Sequence, residues 1–409
     1  MLDVAFIRQR FPALARTENG RPVVYADGPG GTQVPESVIE AMSGVLAAGV
    51  SNLGGPFAAS REAVRITHSA RRAVADLLNA ARPEEISFGQ NMTSLTLALG
   101  RALARTWAAG DEIICTRLDH DANVSSWMQA AGEAGAFVRL VDFDAGSGRL
   151  DPAVVAEAVT DRTRLIAVTH ASNAIGTVVD VTAVAQIARE AGALSFVDAV
   201  HYTPHGAVDV AAIGCDFLAA SAYKFFGPHT GVLYARLEQS AALDAVKIRP
   251  APTEPPGKWE SGTQSFESVA GVTAAVDYLA SLGDGENRRA ALATAMHRTA
   301  AYELTLSARF LEGIRTMDHV RLYGIDAASG RTPTFAIAVD GHTPREVAVA
   351  LGRDGIYVWD GHYYALEVMR HLGVLDSGGL VRIGFVHYNT EGDVDRVLEA
   401  LEALRPRCA

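Results

Sequence analysis

Between residues 86 and 236 short apolar runs alternate with stretches whose apolar residues recur at helical spacing. The runs are Glu112–Thr116, Phe137–Phe143, Thr163–Thr169, Leu194–Asp198, Asp216–Ser221 and Gly231–Arg236, and patterns such as Val181–Ala191 lie between them. Strand–helix–strand alternation requires crossovers, so it predicts an α/β fold: a mainly parallel sheet covered by helices on both faces. Ligands of such sheets sit beyond the carboxyl ends of the strands. Chemistry is therefore expected just after each run.

The Pro-rich stretch 245–263 interrupts this pattern. After it come helical patterns over Ser265–Leu282 and Asn287–Ile314, short strands at Thr334–Val339 and Leu380–Phe385, and an amphipathic helix over Glu391–Leu404. A chain of 409 residues suits two or three domains. The expected division is a large cofactor-binding domain, 20–263, and a smaller α+β C-terminal domain, 264–409, with 1–19 packed on it.

A net charge of −11 without a basic run argues against nucleic acid or an anionic membrane surface as partner. Uninterrupted apolar stretches are too short for a membrane span. The N-terminal MLDVAFIRQRFPALA places charges where a signal peptide needs a continuous apolar region. Cys115, Cys215 and Cys408 lie far apart, against a disulfide framework or a cysteine metal site. These features predict a cytoplasmic enzyme with no metal, nucleic-acid or membrane partner.

Two strand ends carry the chemistry. Asp198 closes LSFVD, where a buried carboxylate needs a cationic partner. Lys224 follows the next strand, in Ser221-Ala-Tyr-Lys-Phe-Phe-Gly. A lysine held among apolar groups loses its proton readily and forms Schiff bases. Separately, Asp198 reads as a helix or turn cap and Lys224 as a loop lysine. Together they supply what pyridoxal 5'-phosphate needs: an amine for its aldehyde and an acid partner for its ring nitrogen.

With YADGPGGTQVP (25–35), LDHDAN (118–123), THASNAIGT (169–177), VDAVHYTPH (197–205), SAYKFFGP (221–228), WESGTQ (259–264) and VRIGFVHYNTEGDVDR (381–396), the chain resembles the class V aminotransferase family in its cysteine desulfurase-like branch. The resemblance runs from about Tyr25 to Leu404 and implies the fold type I of pyridoxal phosphate-dependent transferases. It implies that Lys224, Asp198 and His120 are catalytic, with His120 stacked on the cofactor ring. It assigns Asn173 and His201 to the cofactor's phenolic oxygen, His201 standing where desulfurases usually carry Gln. It assigns Thr93, Ser221 and Tyr223 to the phosphate, with Thr263 donated by the other subunit of a homodimer with shared active sites, and counts Met92 among the cofactor-binding residues. Arg382 matches the clamp for the substrate's α-carboxylate, a role its planar fork suits. Asp27, Gly28 and Tyr364 fall in the substrate pocket.

The resemblance breaks in Gly355-Ile-Tyr-Val-Trp-Asp-Gly-His-Tyr-Tyr-Ala365. Tyr364 stands at or beside the position of the desulfurases' catalytic cysteine, and Trp359 where another arginine is common. A phenol cannot accept sulfur. The expected activity is a desulfurase-like reaction on a small amino acid: β-elimination by a carbon–sulfur lyase without a persulfide cysteine, with transamination as the alternative. A nucleotide-binding oxidoreductase using DGPGGT lacks the strand–GxGxxG–helix unit. A catalytically silent partner protein fits poorly with Lys224, Asp198, Asn173 and Arg382 all being present.

Overall fold

The computed structural model describes residues 2–406. Its central sheet has seven strands in the order Ile86–Gly89, Gly231–Ala235, Phe217–Ser221, Leu194–Asp198, Thr163–Thr169, Glu112–Thr116, Phe137–Val141. Gly231–Ala235 is antiparallel to both neighbours, and the remaining pairings are parallel. The carboxyl ends of four adjacent strands thus deliver His120, Asn173, Asp198 and Lys224 to one edge of the sheet.

One face of the sheet carries helices Met92–Ala104 and Ser125–Ala134, with Leu99 and Trp127 packed on Ile113 and Phe196. The other carries Ala58–Leu78, Val181–Glu190 and Phe266–Ala280. Local signals set these helices in place. Asp180 and Asn91 accept hydrogen bonds from Ala183 N and Ser94 N, satisfying N–H groups that a first turn leaves open.

A second, antiparallel sheet runs Val320–Tyr323, Thr334–Val339, Leu380–Gly384, Trp359–Gly361. Helices Arg288–Arg315, Pro344–Arg353 and Glu391–Glu402 flank it over a core of Phe310, Phe335, Phe385 and Val347.

The expected boundary at 263/264 does not coincide with a change of packing. Helix Phe266–Ala280 buries Val269, Val272, Val276 and Leu279 in the core of the large sheet. The connection before it is tied down rather than loose. Trp259 is buried with Nε1 donating to Ser240 Oγ at 2.8 Å, and Glu260 pairs with Arg71 at 2.7 Å. The N-terminal segment reaches the C-terminal part, Arg8 pairing with Asp393 at 3.0 Å.

Strand ends also shift. The run expected over Phe137–Phe143 pairs only to Val141, as an edge strand with an exposed Phe137. Short Ile86–Gly89 and Trp359–Gly361 are held as strands by pairing with Gly231–Ala235 and Leu380–Gly384.

Candidate active site

Lys224 ends the 3-10 turn Ala222–Lys224 that follows strand Phe217–Ser221. The turn continues through Phe226 at φ 68°, a left-handed conformation costly for a bulky residue. Thr32 holds it, its Oγ1 accepting from Phe226 N at 2.8 Å while its N–H donates to Tyr223 O at 3.0 Å. The same contact lays loop 27–32 along the lysine, whose Nζ donates to Pro29 O. Burial and the Arg382 charge push the amine down to about 7, against the pull of Asp198 and Asp27. Near neutral pH a large share of Lys224 is therefore an uncharged nucleophile.

Asp198 is paired in register with Thr169 on one side and Ala219 on the other, and is buried. Val200 N donates to its Oδ1 at 2.9 Å. Burial lifts the carboxyl to about 6, partly offset by that bond and by Lys224. A cationic N–H donor would complete its coordination.

His120 follows strand Glu112–Thr116 and accepts from Ala122 N through Nδ1 at 3.0 Å. Burial, with the Lys224 and Arg382 charges, pushes it down to about 4, so it is a neutral ring. That ring stacks on Tyr364, with centroids 5.6 Å apart and planes 24° from parallel.

Asn173 Nδ2 donates to Tyr363 O at 2.9 Å, while Oδ1 is buried and unpaired among the described residues. Arg382 donates from a terminal nitrogen to Asn173 O at 2.9 Å and lies 4.6 Å over the Tyr363 ring. Its Nε is also buried and unpaired among the described residues. Burial lowers the guanidinium to about 10, opposed chiefly by Tyr363 and Asp27. Asp27 has a third such atom, Oδ1, and burial lifts its carboxyl to about 6. Gly28 is required beside it, because a Cβ there would lie 2.9 Å from Val386 Cγ1.

At the other end of the site Ser221 Oγ accepts from Met92 N at 3.1 Å, locking the strand end to the start of helix Met92–Ala104. Gly231 permits this approach; a Cβ there would lie 2.4 Å from the Asn91 carbonyl carbon. Thr93 is exposed in the first helical turn, and Tyr223 stacks on His229 at 4.8 Å and 9°. Open N–H groups of a first turn, hydroxyls and a phenol suit a phosphate.

Two assignments stand apart from this cluster. His201 is buried, but its Nε2 lies between the hydroxyls of Thr332 at 3.1 Å and Thr334 at 3.0 Å. That nitrogen is engaged by the two threonines, which leaves Nδ1 as the ring nitrogen for the expected contact. Thr263 is exposed on the single chain. The sequence reading missed His229 and the Pro29 carbonyl. A histidine in the same turn as Lys224 was a usable signal; a backbone acceptor left none.

Tyr363 and Tyr364 are consecutive left-handed residues, at φ 52° and 57°. Asn173 holds the first carbonyl, Asp121 N donates to the second at 2.6 Å, and Tyr363 OH donates to Leu380 O. Cys115 and Cys215 are buried free thiols, the first pushed well up and the second to about 12 by burial. Cys408 lies outside the described residues. Among the described residues no His/Cys/Asp/Glu cluster suits a metal ion, and no helix is long and apolar enough to cross a membrane.

The Aminotransferase class-V family model matches residues 24–397. The chain belongs to this family. It is 32% identical to a protein named "Probable cysteine desulfurase" from Mycolicibacterium paratuberculosis, covering 99% of this chain and 58% of that relative's length. It is 30% identical to a cysteine desulfurase of Yersinia pestis over 97% of both proteins. The solved cysteine desulfurase of Thermococcus onnurineus superposes with a TM-score of 0.88 at 28% identity, over 99% of this chain and 98% of that one. The fold is therefore fold type I of the pyridoxal phosphate-dependent enzymes.

This class V enzyme uses pyridoxal 5'-phosphate, and its residues fit that group. A near-neutral lysine, a buried carboxyl short of a donor, and three unpaired buried polar atoms converge beside a helix start able to receive phosphate.

Proposed function

We propose that the protein is a carbon–sulfur lyase, releasing the β-substituent of a small sulfur amino acid by elimination without a persulfide cysteine. The observation that carries this reading is Tyr364 in the loop that touches His120, while the thiols of Cys115 and Cys215 are sealed in or beside the sheet. A persulfide cycle needs an accessible thiolate.

When bound, pyridoxal phosphate supplies an aldehyde that an amine can add to and a ring that withdraws electrons from the substrate's α-carbon. In this reading Lys224 holds it, Asp198 partners its ring nitrogen, His120 lies on its face and Asn173 meets its phenolic oxygen. Thr93, Ser221 and Tyr223 hold its phosphate, with Met92 beside them at the helix start. Arg382 then fixes the substrate carboxylate as a bidentate fork, with Asp27 and Gly28 walling the same side. Lys224 Nζ, released when the substrate's own amine takes its place on the aldehyde, would take the proton from the α-carbon. The β-substituent leaves with its electron pair, and the remaining aminoacrylate hydrolyses to a keto acid and ammonia.

A homodimer with Thr263 reaching the neighbouring site is part of this reading. Ile39 and Leu46, exposed on one face of helix Glu36–Ala48, offer an apolar patch for such a partner. Two domains and a cytoplasmic location complete it.

The test is the carbon product from a sulfur amino acid. Keto acid supports elimination; alanine would indicate desulfuration; amino transfer to an added keto acid would indicate the transaminase alternative, which the same fold also supports.

A further inference from the structure

The side chain of Trp359 occupies an unusual position for an aromatic residue. Strand Trp359–Gly361 pairs antiparallel with Leu380–Gly384, and Trp359 stands directly opposite Arg382. Directly opposed residues project from the same face of a sheet, with Cβ atoms about 4.5–5.5 Å apart. The indole is therefore the cross-strand neighbour of the guanidinium proposed to hold the substrate carboxylate. Its far edge meets the lysine's loop: a Cβ on Gly30 would fall 2.3 Å from Trp359 Nε1, and the preceding Pro29 carbonyl accepts from Lys224 Nζ. One ring thus spans from the carboxylate clamp to the loop lying on the reactive amine.

A second aromatic surface lies nearby. Tyr364 stacks on His120 and packs edge-on against His362, with centroids 6.0 Å apart. Yet Trp359 is 53% exposed and Tyr364 69% exposed. Large aromatic faces are left open at a site where the backbone of Tyr364 is held in a costly conformation. The segment 355–365 carries no lysine, arginine or cysteine. Its acid, Asp360, is paired with Arg345 at 3.0 Å. Its one imidazole, His362, accepts from Tyr364 N through Nδ1 at 3.1 Å, and nothing in the segment accepts sulfur.

We infer that Trp359 and Tyr364 form the substrate's side-chain subsite and select amino acids bearing a flat aromatic group at the β-carbon, such as S-aryl cysteines. This inference rests on the amino-acid reading above and names the substrate class. With the carboxylate on Arg382 and the amine end at Lys224, the β-substituent is the remaining group to be placed, and the open surfaces between those points are aromatic rings. Stacked or edge-to-face ring pairs favour such a group beyond its burial alone.

The test is binding to the holoenzyme, read from the visible absorption of the bound cofactor on mixing; L-phenylalanine, which carries no β-substituent able to leave with its electron pair, gives the reading without elimination. S-phenyl-L-cysteine and L-phenylalanine are titrated against L-alanine and L-aspartate. Both aromatic ligands are expected to bind about tenfold tighter than alanine, with aspartate weaker still. Trp359→Ala brings the aromatic-to-alanine ratio close to one, and Trp359→Phe, which keeps a ring, retains most of it. Equal affinity for phenylalanine and alanine in the wild type, or a ratio unchanged in Trp359→Ala, overturns the inference. The lyase reading fails separately: tight binding of S-phenyl-L-cysteine without keto-acid release refutes elimination and leaves the subsite standing. Keto-acid release without aromatic preference does the reverse.

Discussion

The side-chain amide of Asn173 donates to the backbone carbonyl of Tyr363 at 2.9 Å, joining the loop after a central strand to a turn of the C-terminal part. Tyr363 and Tyr364 are both left-handed, a conformation that costs on the order of 1–3 kcal/mol per residue and persists only when surroundings impose it. Asn173 is one of those surroundings, Asp121 N–H another. The turn that carries Tyr364 is thus set by the large sheet.

Asn173→Ala should release that turn. One buried bond is lost and an acceptor is left open, a destabilisation of about 1–3 kcal/mol. Hydrogen exchange at residues 361–366 should quicken well beyond the change elsewhere in the chain. Equal protection of this segment in the two proteins would refute the clamp.

The amine of Lys224 should govern uptake of pyridoxal phosphate by the apoprotein. Only the uncharged amine adds to an aldehyde, so the uptake rate should rise through about pH 7. Arg382→Gln removes a positive neighbour and should move the midpoint upward. Asp198→Asn removes a negative neighbour and should move it downward. A wild-type midpoint close to the ordinary lysine value of 10.5 would contradict the assignment.

Asp198 should weaken the apoprotein. Its carboxyl is raised from 3.8 to about 6, so the folded state holds more protons than the unfolded state between those values. Stability from this group is full below the unfolded value and is lost as pH rises through about 6. Asp198→Asn should therefore stabilise apoprotein at neutral pH by about 1–3 kcal/mol, with no gain in acid, while weakening cofactor retention. Denaturant unfolding at both ends of that range tests it. A mutant less stable than wild type at neutral pH would mean the ionised carboxylate is well solvated in its place.

The strands that bring Lys224 and Asp198 together were legible because each is a short apolar run bounded by polar residues, buried on both faces. Periodicity therefore reported six of the seven strands of the large sheet, and not Ile86–Gly89. It did not report Trp359–Gly361, three residues whose extended form comes from pairing with Leu380–Gly384. Nor did it report that helix Phe266–Ala280 packs on the large sheet, because an amphipathic pattern says which face is apolar and not what covers it. His201 illustrates the same limit. Its place in the motif was readable, but the two threonine hydroxyls at its Nε2 come from more than a hundred residues away.

Cys115 lies inside strand Glu112–Thr116 and Cys215 just before strand Phe217–Ser221, both buried and both pushed toward the neutral thiol. The attacking species in sulfur transfer is a thiolate with access to the substrate, and neither side chain supplies one. Cleavage of a carbon–sulfur bond should then proceed with all three cysteines replaced. Alanine is the preferable replacement, because a serine hydroxyl in place of Cys115 or Cys215 would be buried without a partner. The expected outcome for an S-substituted cysteine is keto acid from both proteins. Rates should differ by no more than the loss of folded protein, which a thermal melt of each reports. Alanine formed by the wild type and abolished in the triple variant would establish a sulfur acceptor among the three. Comparing the single Cys408→Ala variant with the triple would then show whether the C-terminal thiol is that acceptor.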